Sequence, residues 1–310
     1  MKKANLLASL AASTLLLAAC GNGGEEDANQ EAENEEVTNQ EENDNGEEAA
    51  EQEAADSGED DDEEGEPVTL TVGASNTPHG EILEFVQPQL EEEGIELEIV
   101  TYDDYVLPNE ALDGGDLDAN YYQHIPFLEN SIEENGYDLV SAGGVHVEPI
   151  GAYSHDYDSL ADLPDGADIL VSNNLADYGR ILKMFEDQGL IEVDDNVDIT
   201  EATFDDIVDN PHDFNFDYEY DPGLMPTLYE NNEGDVVFIN ANFAVDSGID
   251  ILEEVIELES TDSPYVNVIA IRAEDEGDEN IEKLLDALHS QETKDFINDT
   301  WEGAVIPADE

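Results

Sequence analysis

Residues 68–100 read VTLTVGASNTPHGEILEFVQPQLEEEGIELEIV. Val68 to Val72 has the two-residue period of a strand. His79 to Glu93 sets Ile82, Leu83, Phe85, Val86 and Leu90 at helical spacing, and Gly94 can end that helix. Ile95 to Val100 returns to strand alternation. The same alternation continues outward. A short helix is expected around Asn109 to Leu112. Another is expected at Ile125 to Asn135, with Pro126 in the first turn, where proline is tolerated. Asp138 to Val147, Ile150 to Tyr153 and Asp168 to Val171 read as strands. Leu175 to Gln188 reads as a helix closed by Gly189, and 203–209 and 222–230 as further helices. Asp235 to Ile239 and Tyr265 to Arg272 are strands, and helices at 280–289 and 291–301 finish the chain. Strands alternating with helices predict an α/β fold with mainly parallel sheets flanked by helices.

The chain has 310 residues, with 83 Asp and Glu against 7 Lys and Arg, for a formal net charge of −76. The excess has two parts. Glu25 to Glu66 contains no Lys, Arg or aromatic residue and is dense in acids, Gly, Asn, Gln and Ala. Such a segment cannot bury enough apolar surface to offset its ordering entropy, so a disordered tether is expected over 20–66. Its like charges extend it to a reach of roughly 140 Å when fully stretched, at about 3.3 Å per residue. From Pro67 onward the bases are only Arg180, Lys183, Arg272, Lys283 and Lys294, yet the apolar periodicity is regular. A folded domain so acidic repels itself in dilute buffer, and concentrated salt screens that repulsion. This composition points to a halophilic setting. With no basic patch to meet phosphate, nucleic acid and anionic membrane surfaces are poor partners.

The first residues tell a separate story. Met1-Lys2-Lys3 is followed by an uncharged Leu- and Ala-rich run to Ala19, too short to span a bilayer comfortably. A charged head, a short apolar run and small residues before a cut site read as a secretory signal over 1–19. Leu17-Ala18-Ala19-Cys20-Gly21 resembles a bacterial lipobox, whose cysteine carries lipid (palmitate among its acyl chains) and becomes the new N-terminus. Cys20 is the only cysteine, so the mature chain can form no internal disulfide.

Catalytic patterns are missing. The sequence has no Gly-rich phosphate loop, no Gly-x-Ser-x-Gly and no cysteine nucleophile outside the signal, so no enzyme is indicated. The histidines, His79, His124, His146, His155, His212 and His289, form no short-spaced metal motif, and neither a metal nor a cofactor is expected. Arginine is more informative, because composition has pushed bases out almost everywhere. Arg180 follows a strand, early in a helix, where open α/β sheets place ligands and backbone amides favour an anion. It could hold a ligand carboxylate in its planar fork, or pair with Asp177 three residues earlier. Ala119 to Phe127 gathers aromatics beside His124. Phe238 to Phe243 sets two amides after an apolar strand, and Asn267 interrupts another. An aromatic box with a guanidinium and amides suits a small zwitterion with an apolar side chain.

The chain resembles the NlpA/MetQ family of methionine-binding lipoproteins, the solute receptors of bacterial methionine ABC importers. The matching stretches are Pro78 to Val86, Leu117 to Pro126, Val145 to Gly151, Gly179 to Leu182, Ile239 to Ala244, Asp262 to Val268 and Gly303 to Pro307, in family order. The resemblance implies two lobes joined by a hinge: 67–148 as the first part of lobe 1, 149–248 as lobe 2 and 249–310 as the return to lobe 1. It implies that Tyr105, Tyr122, His124 and Phe127 line a side-chain pocket, that Arg180 holds the ligand carboxylate, and that Asn242 and Asn267 bond its polar end. It further implies delivery of L-methionine to an ABC permease and its ATPase, from outside the cell membrane, anchored by lipid on Cys20. The family commonly has Asn where Asp177 stands, which leaves another apolar amino acid or a short peptide as an alternative ligand. A surface adhesion role for the acidic segment is the alternative from a different class.

Overall fold

A computed structural model describes residues 67–260 and 264–308. The expected signal peptide, Cys20 and the acidic tether lie outside the described residues, as do Asp262 and Ser263.

The chain opens with β1 (Val68–Ser75), α1 (Glu81–Glu92) and β2 (Ile95–Tyr102), and β1 and β2 pair in parallel with Val68 opposite Ile95. Then come α2 (Leu107–Asp113), β3 (Ala119–His124), α3 (Ile125–Asn135) and β4 (Leu139–Val147). The chain passes to a second sheet with β5 (Gly151–Tyr153), β6 (Asp168–Ser172), α4 (Tyr178–Asp187), β7 (Glu192–Val193), β8 (Ile207–Asp209), β9 (Asn215–Tyr220), α5 (Met225–Glu230), β10 (Val236–Ile239), α6 (Ala241–Asp246), α7 (Ile251–Glu254) and β11 (Val255–Leu258). It returns with β12 (Val266–Arg272), α8 (Glu279–Leu288), α9 (Gln291–Trp301) and β13 (Ile306–Pro307). The first sheet runs β13-β4-β12-β3-β1-β2 and the second β11-β5-β10-β6-β9, with β7 and β8 paired separately.

These are two α/β lobes, each a sheet flanked by helices. Alternation along the strands divides the apolar residues between sheet faces. On β12, Ile269 and Ile271 join a core with Leu70, Val72, α1, α8 and α9, while Val268 and Ala270 face Leu112, Leu117 and Leu128 on the other side. On β10, Val237 and Ile239 face one way, and Val236 and Phe238 face Phe185 and Ile181 of α4. The α1 face read from the sequence is buried at Ile82, Leu83, Val86 and Leu90. Phe85 is instead 39 % exposed and stacks on Phe296 of α9 at 4.2 Å.

The structure differs from the sequence reading in its strand pairing, in residues 203–209 and in a lobe boundary, and it adds strands, β9 among them, that the reading did not assign. Parallel pairing is confined to β1 with β2 and β3, and to β6 with β9 and β10; the remaining pairs are antiparallel, so both sheets are mixed. Residues 203–209 are not a helix. Thr203 and Asp206 form a capping box that starts one 3-10 turn, but at Ile207 the backbone extends (ψ 117°) into β8. The return boundary at 249 also moves, because β11 pairs with β5 and belongs to the second sheet. Its short Val255-Ile-Glu-Leu258 run carries too little pattern to announce a strand. The two crossings between sheets are therefore 148–150 and 259–265.

One glycine fixes how the site is walled. A Cβ on Gly179, at the start of α4, would lie 1.7 Å from the Ile199 carbonyl oxygen. The 194–202 loop thus lies directly against the backbone that presents Arg180. Gly179→Ala is expected to cost about 3 kcal/mol through overpacking and to lower Tm by roughly 10 °C; thermal denaturation that leaves Tm unchanged would remove this contact as a constraint.

Candidate functional site

The carboxyl ends of the parallel strands converge between the two sheets, where open α/β folds place ligands. Tyr105 follows β2, and Tyr122, Gln123 and His124 end β3. Asn174 and Arg180 follow β6, and Asn240 and Asn242 follow β10. Asn267 lies near the start of β12, and Glu148 follows β4 at the first crossing. Together with Phe127 and Ala241 these residues line a cavity of about 30 Å³. All seven residues singled out in the sequence, Tyr105, Tyr122, His124, Phe127, Arg180, Asn242 and Asn267, are on its wall. A larger cavity of about 330 Å³ shares Tyr105, Phe127 and Asn174 with it and continues past Phe243 and Pro222.

The apolar side is a cage of rings. Tyr105 stands 6.1 Å from Tyr122, 5.8 Å from Phe127 and 5.0 Å from Phe243, centroid to centroid. Its hydroxyl donates to Asn242 Oδ1 at 2.7 Å, across the cleft, while the Tyr122 hydroxyl donates to the Tyr105 carbonyl at 3.2 Å. Burial, with Asp177 and Glu148 nearby, pushes the Tyr105 phenol well above its ordinary value, so it stays a donor.

The polar side is built around Arg180. Its Nε and Nη2 donate to Glu259 Oε2, and Nη2 also donates to the Glu148 carbonyl at 2.6 Å. Nη1 reaches Asp177 Oδ1 at 3.4 Å, and the guanidinium carbon lies 4.6 Å above the Tyr265 ring. Of the five N–H groups of a guanidinium, one on Nη1 is left beside the cavity. Burial opposes the charge on Arg180, but Glu259 and Asp177 outweigh it and raise its pKa.

Asp177, where the family commonly has Asn, is fully buried and saturated by this chain's own groups. Oδ1 accepts from His124 Nε2 at 3.1 Å as well as from Arg180, and Oδ2 accepts from Asn174 at 2.6 Å and Asn240 at 2.9 Å. His124 Nδ1 accepts from the Phe127 amide at 3.2 Å, which assigns the ring proton to Nε2. Burial alone would raise the Asp177 carboxyl, but the His124 hydrogen bond, the Arg180 charge and the Asn240 hydrogen bond hold it well below the usual carboxylate range.

Behind Asn267 lies a second polar cluster. Glu148 Oε1 meets His79 Nε2 at 3.1 Å and His146 Nε2 at 2.7 Å. His79 Nε2 also meets Asn267 Oδ1 at 3.1 Å, and its Nδ1 meets Ser75 Oγ at 2.6 Å. His146 Nδ1 is hydrogen-bonded to the Tyr121 hydroxyl. Burial pushes His79 down to about 4 and His146 to about 3, and pushes Glu148 up, while His79 and Arg180 pull Glu148 back.

Sequence reasoning missed Gln123, Glu148 and Asn174 as wall residues, and noted Asn240 beside Asn242 as an amide after a strand without assigning it to the site. Asn174 had a usable signal, being a polar residue just after a strand on the same path as Arg180. Glu148 had none, because acids are everywhere in this chain.

The family model described as NlpA lipoprotein matches residues 70–309. The methionine-binding lipoprotein MetQ of Bacillus subtilis is 46% identical over 243 residues, spanning 78% of this chain and 88% of that protein. A crystal structure described as a pheromone cOB1 precursor/lipoprotein of the YaeC family, from Enterococcus faecalis, superposes with a TM-score of 0.75 at 52% identity. It covers 77% of this chain and 100% of its own. A nutrient-binding protein of Burkholderia cenocepacia bound to methionine gives a TM-score of 0.72 at 36% identity, covering 77% and 100%. With a matched family model, a two-lobed fold and a cleft built from its characteristic stretches, this chain belongs to the NlpA lipoprotein family.

Proposed function

We propose that this protein is a solute receptor that captures L-methionine in the cleft between its lobes and delivers it to an ABC importer permease and its ATPase. The family is one of solute-binding proteins, not of enzymes. The observation that carries the reading is the convergence of the seven residues implied by the family resemblance on one cavity with an aromatic side and a charged side. In this reading Tyr105, Tyr122, His124 and Phe127 enclose the thioether chain. The ligand carboxylate takes the remaining Nη1 proton of Arg180. Its ammonium faces the amide oxygens of Asn242 and Asn267. Asp177 neutralises Arg180 and accepts from His124 instead of meeting the ligand, so its presence here need not repel the carboxylate. Closure follows from contacts to the ligand out of both lobes.

One observation favours a second reading. The adjoining cavity of about 330 Å³ offers room for a longer ligand, such as a short peptide.

No helix among the described residues is long and apolar enough to cross a membrane, and the named relatives are lipoproteins. We infer that lipid on Cys20 holds the protein on the outer side of the cell membrane, with residues 20–66 as its tether. The acid excess of the folded part fits adaptation to high salt.

Calorimetry in high salt should give one methionine per chain with micromolar or tighter affinity; no heat and no thermal shift would sink the methionine assignment. A methionyl dipeptide that binds more tightly than methionine would favour the second reading. Asn242→Ala should weaken binding by about 1–3 kcal/mol, roughly 5- to 150-fold. Arg180→Ala should abolish binding and, by leaving Glu259 and Asp177 unmatched, cost about 3–5 kcal/mol of stability; a folded variant with wild-type affinity removes its ligand role. Replacing Cys20 with Ala should release the protein from membranes and stop acyl labelling; a variant still membrane-bound overturns the anchor. Tm should rise steadily with KCl concentration, and a flat profile would count against salt adaptation.

A further inference from the structure

We propose that His79, His146 and Glu148 form a binding site for one divalent cation of the zinc class, set behind the ligand cavity at the first crossing between the lobes. One ligating atom from each residue, His79 Nε2, His146 Nε2 and Glu148 Oε1, lies within 4.8 Å of the others, and all three residues are buried. His79 is far in sequence from the other two and is brought to them by the fold. His79 follows β1, His146 is the penultimate residue of β4, and Glu148 follows it two positions on, where the strand period turns both side chains to one face. Three protein ligands leave the fourth position of a tetrahedral site to a water molecule.

The surroundings are those that orient metal-binding imidazoles. Each ring is held at its far nitrogen by a hydroxyl, Ser75 Oγ on His79 and Tyr121 on His146. A hydroxyl can donate or accept. If the ring protons sit on Nδ1, both Nε2 lone pairs face Glu148 and no hydrogen bond at Ser75 or Tyr121 is lost. Tetrahedral bonds of about 2.0–2.1 Å place donor atoms roughly 3.3 Å apart. The Glu148 contacts of 2.7 and 3.1 Å need to open by only a few tenths of an ångström.

Charge supports the same reading. The buried centre holds the carboxylates of Glu148, Asp177 and Glu259 against the guanidinium of Arg180. With all of them ionised it has two negative charges in excess, so a cation restores balance. Two imidazoles with one carboxylate suit zinc-class ions over magnesium or calcium. Glu148 and Asn267 also line the ligand cavity, which gives an entry path from the cleft. The competing arrangement is a closed hydrogen-bond network in which Glu148 accepts both ring protons.

The test uses the full chain, stripped with a chelator and titrated with Co²⁺, whose visible d–d absorption reports a tetrahedral nitrogen and oxygen site. The expected result is one Co²⁺ per chain with that band, displaced by Zn²⁺ and unaffected by excess Ca²⁺. His146→Gln and Glu148→Gln should each abolish it. Tyr121→Phe, which touches only the far side of the ring, should weaken Co²⁺ binding by about 10- to 100-fold. If His146→Gln fails to fold, as judged by circular dichroism, the nearly isosteric Glu148→Gln decides. Absence of the band in folded wild type, or a band that survives Glu148→Gln, overturns the proposal. In the first case the cluster is a hydrogen-bond network. In the second the ion is bound elsewhere, at Cys20 or the acidic segment.

Discussion

A guanidinium with 4 % of its surface exposed must be neutralised where it stands, and the arrangement of both lobes follows from how Arg180 is neutralised. Arg180 rides on α4 of the second lobe. Its partners are the Glu148 carbonyl on one crossing and the Glu259 carboxylate on the other. Glu259 also accepts from the Ile150 amide at 3.2 Å, so it joins the two crossings directly. One cation therefore fixes the two segments where the chain changes lobe. It leaves a single N–H toward the cavity, and that donor is aimed by the same contacts that hold the crossings.

The chain separates two kinds of charge. Outside, acids are plentiful and mostly face solvent. Inside, each charged group has named partners. The other arginine follows the rule: Arg272 Nη1 donates to the Leu112 and Leu117 carbonyls, and Nη2 pairs with Asp275 at 2.7 Å. In a sequence where bases are almost absent, both arginines tie backbone from distant segments. Exposed Lys183, by contrast, only reaches Asp187 one turn away at 2.8 Å, a contact worth a few tenths of a kcal/mol.

Much of this was legible in the sequence, and the exceptions have physical reasons. The βαβ opening was clear because β1, α1 and β2 are long and their apolar periods are distinct. β9 was missed although Phe216, Tyr218 and Tyr220 alternate, because acids between the rings resemble the acid background. β11 was missed because four residues hold two turns of alternation at most. At the site, Arg180 and the amides after β10 could be singled out because their types are informative in this composition, whereas Tyr105 came only from the family resemblance. The saturation of Asp177 by His124, Asn174, Asn240 and Arg180 could not, since it depends on four segments meeting. The pairing of His79 with His146 was hidden for the same reason, since the two lie sixty-seven positions apart.

Among the described residues, Tyr105 to Asn242, His124 to Asp177 and the exposed pair Asn76 to Asp246 at 3.2 Å are hydrogen bonds between the lobes. At a net worth of about 1 kcal/mol each, the first two favour the shut arrangement by about 2 kcal/mol, roughly thirtyfold in population. The receptor thus carries its own clasp. An incoming solute competes with these bonds before it gains from its own, and its apparent affinity falls by the fraction of molecules open to admit it. A weaker clasp would speed capture, and a stronger one would make the receptor selective for solutes whose contacts repay the opening.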